Sequence, residues 1–194
     1  MKKFSKIITV ILMFSMLVLS LTGCGSDPTK DAEAAVSKNL DEVKNVSDET
    51  YNEYMQLLGL ASLEIPEEST EQLKTFVKTI LDNIDYKIVS SEKVDDNNVT
   101  VKTDITSINM KAIMEKFQQE VANLSSSEDI KNLSQEELTK KAFELLANTV
   151  NQSDLEKVTT TVDISVTKVD KEWQPTMDSE IINAIYGDML NSEE

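Results

Sequence analysis

The sequence has no histidine, no arginine, one cysteine and one tryptophan in 194 residues. Each absence closes a route to chemistry. Without histidine, a Ser-His-Asp triad, a Cys-His pair and a His-ligated zinc or iron site are excluded. Glycine stands only at 23, 25, 59 and 187, so no Gly-rich loop exists to cradle phosphates. A lone cysteine cannot close an internal disulfide. Basic charge is scarce as well: 19 lysines face 35 acids, for a net charge of −16. That balance argues against a nucleic-acid partner, because few cations are left to neutralise phosphates. It also argues against flat electrostatic docking on anionic lipid. The plain role of the acid excess is solubility.

What is present is concentrated at the start. Met1-Lys2-Lys3-Phe4-Ser5-Lys6 is basic, and Ile7 to Leu21 is apolar and uncharged. The run is shorter than the roughly 20 residues of a spanning helix. A basic start, an apolar centre and a small-residue cleavage site describe an export signal. Leu21-Thr22-Gly23-Cys24 closes the run. Those four residues resemble the lipobox of bacterial prelipoproteins. The resemblance implies a diacylglyceryl group on the Cys24 sulfur and cleavage between Gly23 and Cys24. Two or more acyl chains, such as palmitate, then hold the protein stably, at about 0.8 kcal/mol per buried CH₂. The expected organisation is a signal peptide over 1–23, a lipidated tether over 24–29 and a single α+β domain over 30–194. The expected location is the extracytoplasmic face of the cell membrane.

Lys2, Lys3 and Lys6 leave with the signal and no acid does, which takes the mature chain of 171 residues to a net charge of −19. That length suits one domain with a real core. The stretch Gly25-Ser26-Asp27-Pro28-Thr29 is linker-like and spans at most about 17 Å. The domain is therefore expected close to the membrane.

Helical periodicity covers Lys30 to Asn45, with Ala35, Val36, Leu40 and Val43 on one side. Ser47-Asp48-Glu49 restarts a helix through Tyr51, Tyr54, Met55 and Leu58 to Gly59. Ser69 with Gln72 reads as a capping box before Leu73, Phe76, Val77, Ile80, Leu81 and Ile84, the strongest amphipathic pattern in the chain. The period then changes to two at Tyr86–Ser90 and Val99–Ile105, with Asp95-Asp96-Asn97-Asn98 as turn chemistry between them. Asn109 caps a helix carrying Met110, Ile113, Met114, Phe117, Val121 and Leu124. Ser134 with Glu137 boxes the next, through Leu138, Ala142, Leu145, Leu146 and Val150. Lys157 to Val169 alternates cleanly, with Val158, Val162, Ile164 and Val166 on one face and Thr159, Thr161, Asp163, Ser165 and Thr167 on the other. A turn at Asp170-Lys171 leads to a short strand with Trp173, limited by Pro175. Asp178 or Ser179 caps a last helix with Ile181, Ile182, Ile185 and Met189 inward and Gly187 inside it. The class is α+β: about four antiparallel strands in two hairpins, packed by helices, with a helical pair inserted between the hairpins.

The runs Tyr86-Lys87-Ile88-Val89, Asn97-Asn98-Val99-Thr100-Val101 and Lys168-Val169-Asp170-Lys171-Glu172-Trp173, with Ile181-Ile182-Asn183-Ala184-Ile185, resemble a family of Gram-positive lipoproteins. Those proteins are similar to the cystatin-like cone shared with nuclear transport factor and ketosteroid isomerase relatives. The resemblance implies a curved antiparallel sheet around a long helix and a possible cavity. It implies no activity, because no catalytic motif of the superfamily stands in this sequence.

Candidate pocket residues are Tyr86, Thr103, Thr160 and Trp173. Thr103, Ser90 and Thr160 share the apolar alternation face with Tyr86, Ile88 and Val101, which fits convergent hydroxyls in a cavity. Equally, such hydroxyls satisfy local backbone, and Trp173 and Tyr86 serve as core anchors. Asp104, Asp163 and Glu92 are candidate paired carboxylates, with solvation as the plain alternative. Asp95-Asp96-Asn97-Asn98 lacks the Gly and terminal Glu of a calcium loop. Neither a metal nor a cofactor is expected, and no catalytic residue is assigned. The function expected is non-catalytic binding of a small apolar ligand or an envelope protein. The alternatives are a carboxylate- and tyrosine-dependent isomerase or hydrolase, and a structural surface module.

Overall fold

The computed structural model describes residues 27–45, 47, 51, 55, 67–127, 133–150 and 155–187. The signal segment, Gly23, Cys24 and most of the helix expected over 47–59 lie outside them. Five helices and four strands are described: α1 (Pro28–Lys44), α2 (Glu67–Asp82), β1 (Asp85–Lys93), β2 (Asn98–Ile108), α3 (Met110–Ser126), α4 (Gln135–Val150), β3 (Lys157–Val169), β4 (Glu172–Pro175) and α5 (Ser179–Ile185). The class is α+β. Among the described residues, no helix is long and apolar enough to cross a membrane.

The strands form one antiparallel sheet in the order β1-β2-β3-β4. The helix pair α3–α4 interrupts the meander between β2 and β3. Strict alternation puts Val99, Val101, Thr103, Ile105 and Ser107 of β2, with Val162, Ile164 and Val166 of β3, on the buried face. The outward face is polar and paired across strands. Lys102 meets Asp163 at 2.7 Å, Thr161 donates to Asp104 at 2.6 Å, and Thr106 and Thr159 share a hydrogen bond of 2.8 Å.

Helix α1 lies across the apolar face and touches all four strands. It starts at Pro28, two residues before the periodic pattern, because Asp27 caps it and Pro28 fits the first turn. Ala32, Val36, Leu40 and Val43 are its buried side. Each fully buried Val or Leu contributes about 1.5–3 kcal/mol. α2 adds Leu73, Phe76, Val77, Ile80 and Leu81 to the same core. It begins at Glu67, so Ser69 is not a cap but a fully buried first-turn residue.

The expected caps at Asn109 and Asp178 form, the first accepting from the Ala112 amide at 3.2 Å and the second from Glu180 and Ile181. The Ser134–Glu137 box is reciprocal, at 2.7 and 3.3 Å. Asp170 and Lys171 both take positive φ, 50° and 76°, as a two-residue hairpin turn between right-twisted strands requires. Gly187 departs from expectation. It stands beyond the end of α5 with φ +57°, and its carbonyl accepts from the Met110 amide at 3.2 Å. A glycine is needed there for both conformation and close approach.

One register event was not expected. Ile88 pairs with Thr103 but Ser90 pairs with Lys102, so Val89 is an extra residue in β1. This bulge moves the following side chains by one position. Ser90 is consequently exposed on the outward face, and Ser91 takes the inward place.

Candidate functional site

The four candidate pocket residues do not meet in one place. Tyr86 lies opposite Ile105, and Thr160 lies opposite Ile105 from the other side. Thr103 is one pair further, between Ile88 and Val162. These three therefore share one region beneath α1. Trp173 pairs with Lys168, eight residues along β3 from Thr160, a separation of about 26 Å.

Tyr86 is half-buried, and its hydroxyl stands 3.0 Å from Asp41 Oδ1 and 3.2 Å from the Ser37 carbonyl. Burial first, then its bond to the Asp41 carboxylate, pushes the phenol pKa above the usual tyrosine value. Thr103 is fully buried, and its hydroxyl has no hydrogen-bond partner. The indole N–H of Trp173 is also buried without a partner, while Lys168 Nζ sits 5.3 Å from the ring centroid. That ammonium position fits a cation–π contact. Tyr86 and Trp173 pack against the buried core.

The carboxylates are dispersed in the same way. Asp104 and Asp163 lie on the outward face with partners of their own, Thr161 and Lys102. Glu92 is exposed. No described Asp or Glu is buried. Asp95 accepts from the Asn97 amide at 2.8 Å and then from Asn98 Nδ2, and these bonds hold its pKa down. Thr29 does the same for Asp27, and the Ser134 amide and hydroxyl for Glu137. A general acid at neutral pH requires the opposite displacement. Among the described residues, no group of three or more His, Cys, Asp or Glu is placed to hold a metal ion.

An open groove lies between α3 and α4. It has a volume of about 340 Å³ and is lined by Phe117 of α3 and by Gln135, Leu138, Thr139, Ala142, Phe143 and Leu146 of α4. Its origin is a mismatch between stripe and core. The apolar stripe of α3 runs from Met110 to Leu124, but only Met110 and Ile113 are buried. The following turns pack on α4 and remain half-exposed. On α4, positions 138, 142 and 146 recur every fourth residue, with 139 and 143 beside them, which aligns the lining along one helix face. The Thr139 hydroxyl is already bonded to the Gln135 carbonyl at 2.9 Å. That leaves the Gln135 amide as the remaining polar side chain of the lining. Among the described residues, no ionisable group lines the groove. Its size falls within the usual range of ligand pockets, about 300–1,000 Å³. Both stripes were visible in the sequence. What was not visible is that the core would leave their outer turns uncovered.

No family model matches the chain, and no curated protein matches it. Among solved structures, a candidate lipoprotein (ycdA) of Bacillus subtilis subsp. subtilis str. 168 is similar, with a TM-score of 0.58 and 15% identity. The match covers 81% of this chain and 55% of that one, so the chain spans about half of that protein's length. At this identity the likeness is one of fold.

Proposed function

We propose that this chain is a bacterial lipoprotein, anchored through Cys24 to the extracytoplasmic face of the cell membrane, whose folded part binds rather than catalyses. Its occupant is an apolar group of a small ligand or of an envelope protein, taken between α3 and α4. The observation that carries the binding assignment is the cavity lining, apolar with one uncommitted amide and no ionisable group. The absence of a buried carboxylate among the described residues supports binding over acid–base chemistry. The anchor is supported by the Leu21-Thr22-Gly23-Cys24 box after an uncharged apolar run. It is also supported by the shared fold with a protein described as a candidate lipoprotein. A cystatin-like cone is the finer fold reading, supported by one helix lying across a four-stranded antiparallel meander.

The cavity is tested with Nile red, a neutral apolar dye that the acidic surface does not repel. Ala142→Trp fills the space from within. Dye fluorescence should rise with the native protein and bind at least tenfold more weakly to an equally stable Ala142→Trp variant. Equal binding by both would remove the assignment. The anchor is tested by metabolic labelling with palmitate: label should be lost in Cys24→Ala, and continued labelling refutes the lipid site.

A further inference from the structure

The direction of α1 fixes which end of the domain faces the membrane. Ser91 donates to Glu33 Oε1 at 2.5 Å, whereas Tyr86 reaches Ser37 and Asp41. Helix α1 therefore runs from the level of Ser91 towards the level of Tyr86, antiparallel to β1. Going back from Glu33 to Pro28 adds about 7.5 Å of helix. Going forward from Ser91 to Val94 adds about 10 Å of strand. The start of α1 thus lies near the level of the β1–β2 hairpin tip. The β3–β4 turn is at the same end, because the Lys168 amide donates to the Asn97 carbonyl at 2.7 Å. Only Gly25 and Ser26 separate Cys24 from the capping Asp27, three chain steps that reach at most about 11 Å.

That end carries two of the large apolar side chains the protein leaves in solvent. Val94 in the β1–β2 tip is 64% exposed, and Val169 before the β3–β4 turn is 43% exposed. Lys93, Lys168 and Lys171 flank them. The same tips also carry acids: Asp96 pairs with Lys93 at 2.7 Å, Asp95 is turned back onto Asn97 and Asn98, and Asp170 is exposed in the β3–β4 turn. The opposite end of the sheet is different. There Ile108 is fully buried, and Asn83 and Lys157 are tied by a hydrogen bond of 3.3 Å.

We infer that the two hairpin tips form a membrane-facing end, with Val94 and Val169 resting in the lipid headgroup boundary. The occupant is the lipid surface itself, because a tether of two residues leaves the tips little room to stand off from it. This inference rests on the Cys24 anchor. It adds an orientation: the sheet stands on its hairpin tips, and α3 leaves β2 at the end away from the bilayer.

The test uses the full, lipidated chain in phosphatidylcholine vesicles containing spin-labelled lipid. A single additional cysteine, Val94→Cys, Val169→Cys or Asn83→Cys, carries an environment-sensitive fluorophore. The mass of the mature protein reports whether Cys24 bears its diacylglyceryl group. Quenching at 94 and 169 should exceed that at 83 by threefold or more. Equal quenching at all three positions, or more at 83, in protein whose mass shows the lipid, overturns the orientation and leaves the lipoprotein assignment standing. A mature mass without lipid overturns both.

Discussion

Gly187→Ala is expected to be among the most damaging single-methyl additions in the described fold. An added Cβ would lie 1.8 Å from the Ile108 carbonyl oxygen and 3.2 Å from the Met110 amide nitrogen. Ile108 ends β2 and Met110 starts α3, so neither is the free end of a flexible side chain. The contact can be relieved only by moving backbone by at least about 1 Å, which also breaks the bond from the Met110 amide to the Gly187 carbonyl. Left-handed backbone costs a residue with a side chain about 1–2 kcal/mol. The lost hydrogen bond costs about 1 kcal/mol more. The total is about 3 kcal/mol, a large share of the roughly 5–15 kcal/mol that holds a domain together. For a chain of this size, that lowers Tm by about 6–12 °C. Urea unfolding followed by circular dichroism measures it directly. Gly187→Asn separates the two causes, since Asn tolerates the left-handed conformation but carries the same Cβ. Asn should be nearly as damaging as Ala. A loss below about 1 kcal/mol for Ala would refute the close approach, and full recovery by Asn would show that conformation alone matters.

Thr103→Val removes a buried hydroxyl that has no partner and keeps the shape of the side chain. It should be neutral or stabilising by up to about 1 kcal/mol, and clear destabilisation in the same urea assay would mean that the hydroxyl has a partner. Glu137 is held below the ordinary glutamate pKa by the Ser134 amide and hydroxyl, so its contribution is present above the unfolded-state pKa and disappears as pH falls through the lower folded value. A carbon-detected NMR titration should show Glu137 titrating below a model glutamate, and a normal midpoint would argue against the capping box in solution. Deleting Val89 should leave the inward faces unchanged, because Ile88 and Ser90 already pair with adjacent residues of β2. The straightened edge should increase self-association in light scattering, and a deletion that self-associates no more than the native protein would contradict a protective role for the bulge.

The sequence made the β3 strand legible to the residue, because Val and Ile alternate with Thr, Asp and Ser over Lys157–Val169 and no competing helical period exists. The caps at Asn109, Ser134 and Asp178 were legible because a side-chain oxygen beside free amides is a local event. Features that depend on a partner were not legible. The bulge at Val89 is defined only by what β2 presents opposite it, and it reversed the face assigned to Ser90. Gly187 was read inside a helix because its neighbours are helix formers, while its actual role depends on Ile108, far away in sequence. The α3–α4 cavity was hidden for the same reason. Apolar spacing shows that a helix has a face to bury, but not whether the core is wide enough to cover its outer turns.

The sheet itself is poorly suited to recruiting a partner, which supports the site proposed between α3 and α4. Strand addition needs a straight edge with a row of free backbone groups. The β1 edge is broken by the Val89 bulge and carries Lys87 and Lys93. The β4 edge is four residues long and ends in Pro175, which has no amide hydrogen to give. Between the edges, the outward face is occupied by cross-strand pairs such as Lys102–Asp163 and Thr161–Asp104, which already use the groups a polar ligand would need. The half-exposed turns of α3 and α4 are the contrasting case: their backbone groups are satisfied within the helices, and their side chains still have apolar surface to bury. Removing about 100 Å² of such surface from water contributes about 2.5 kcal/mol. An apolar group entering between Phe117 and Phe143 therefore gains that burial without breaking a hydrogen bond, which neither the edges nor the outward face of the sheet permits.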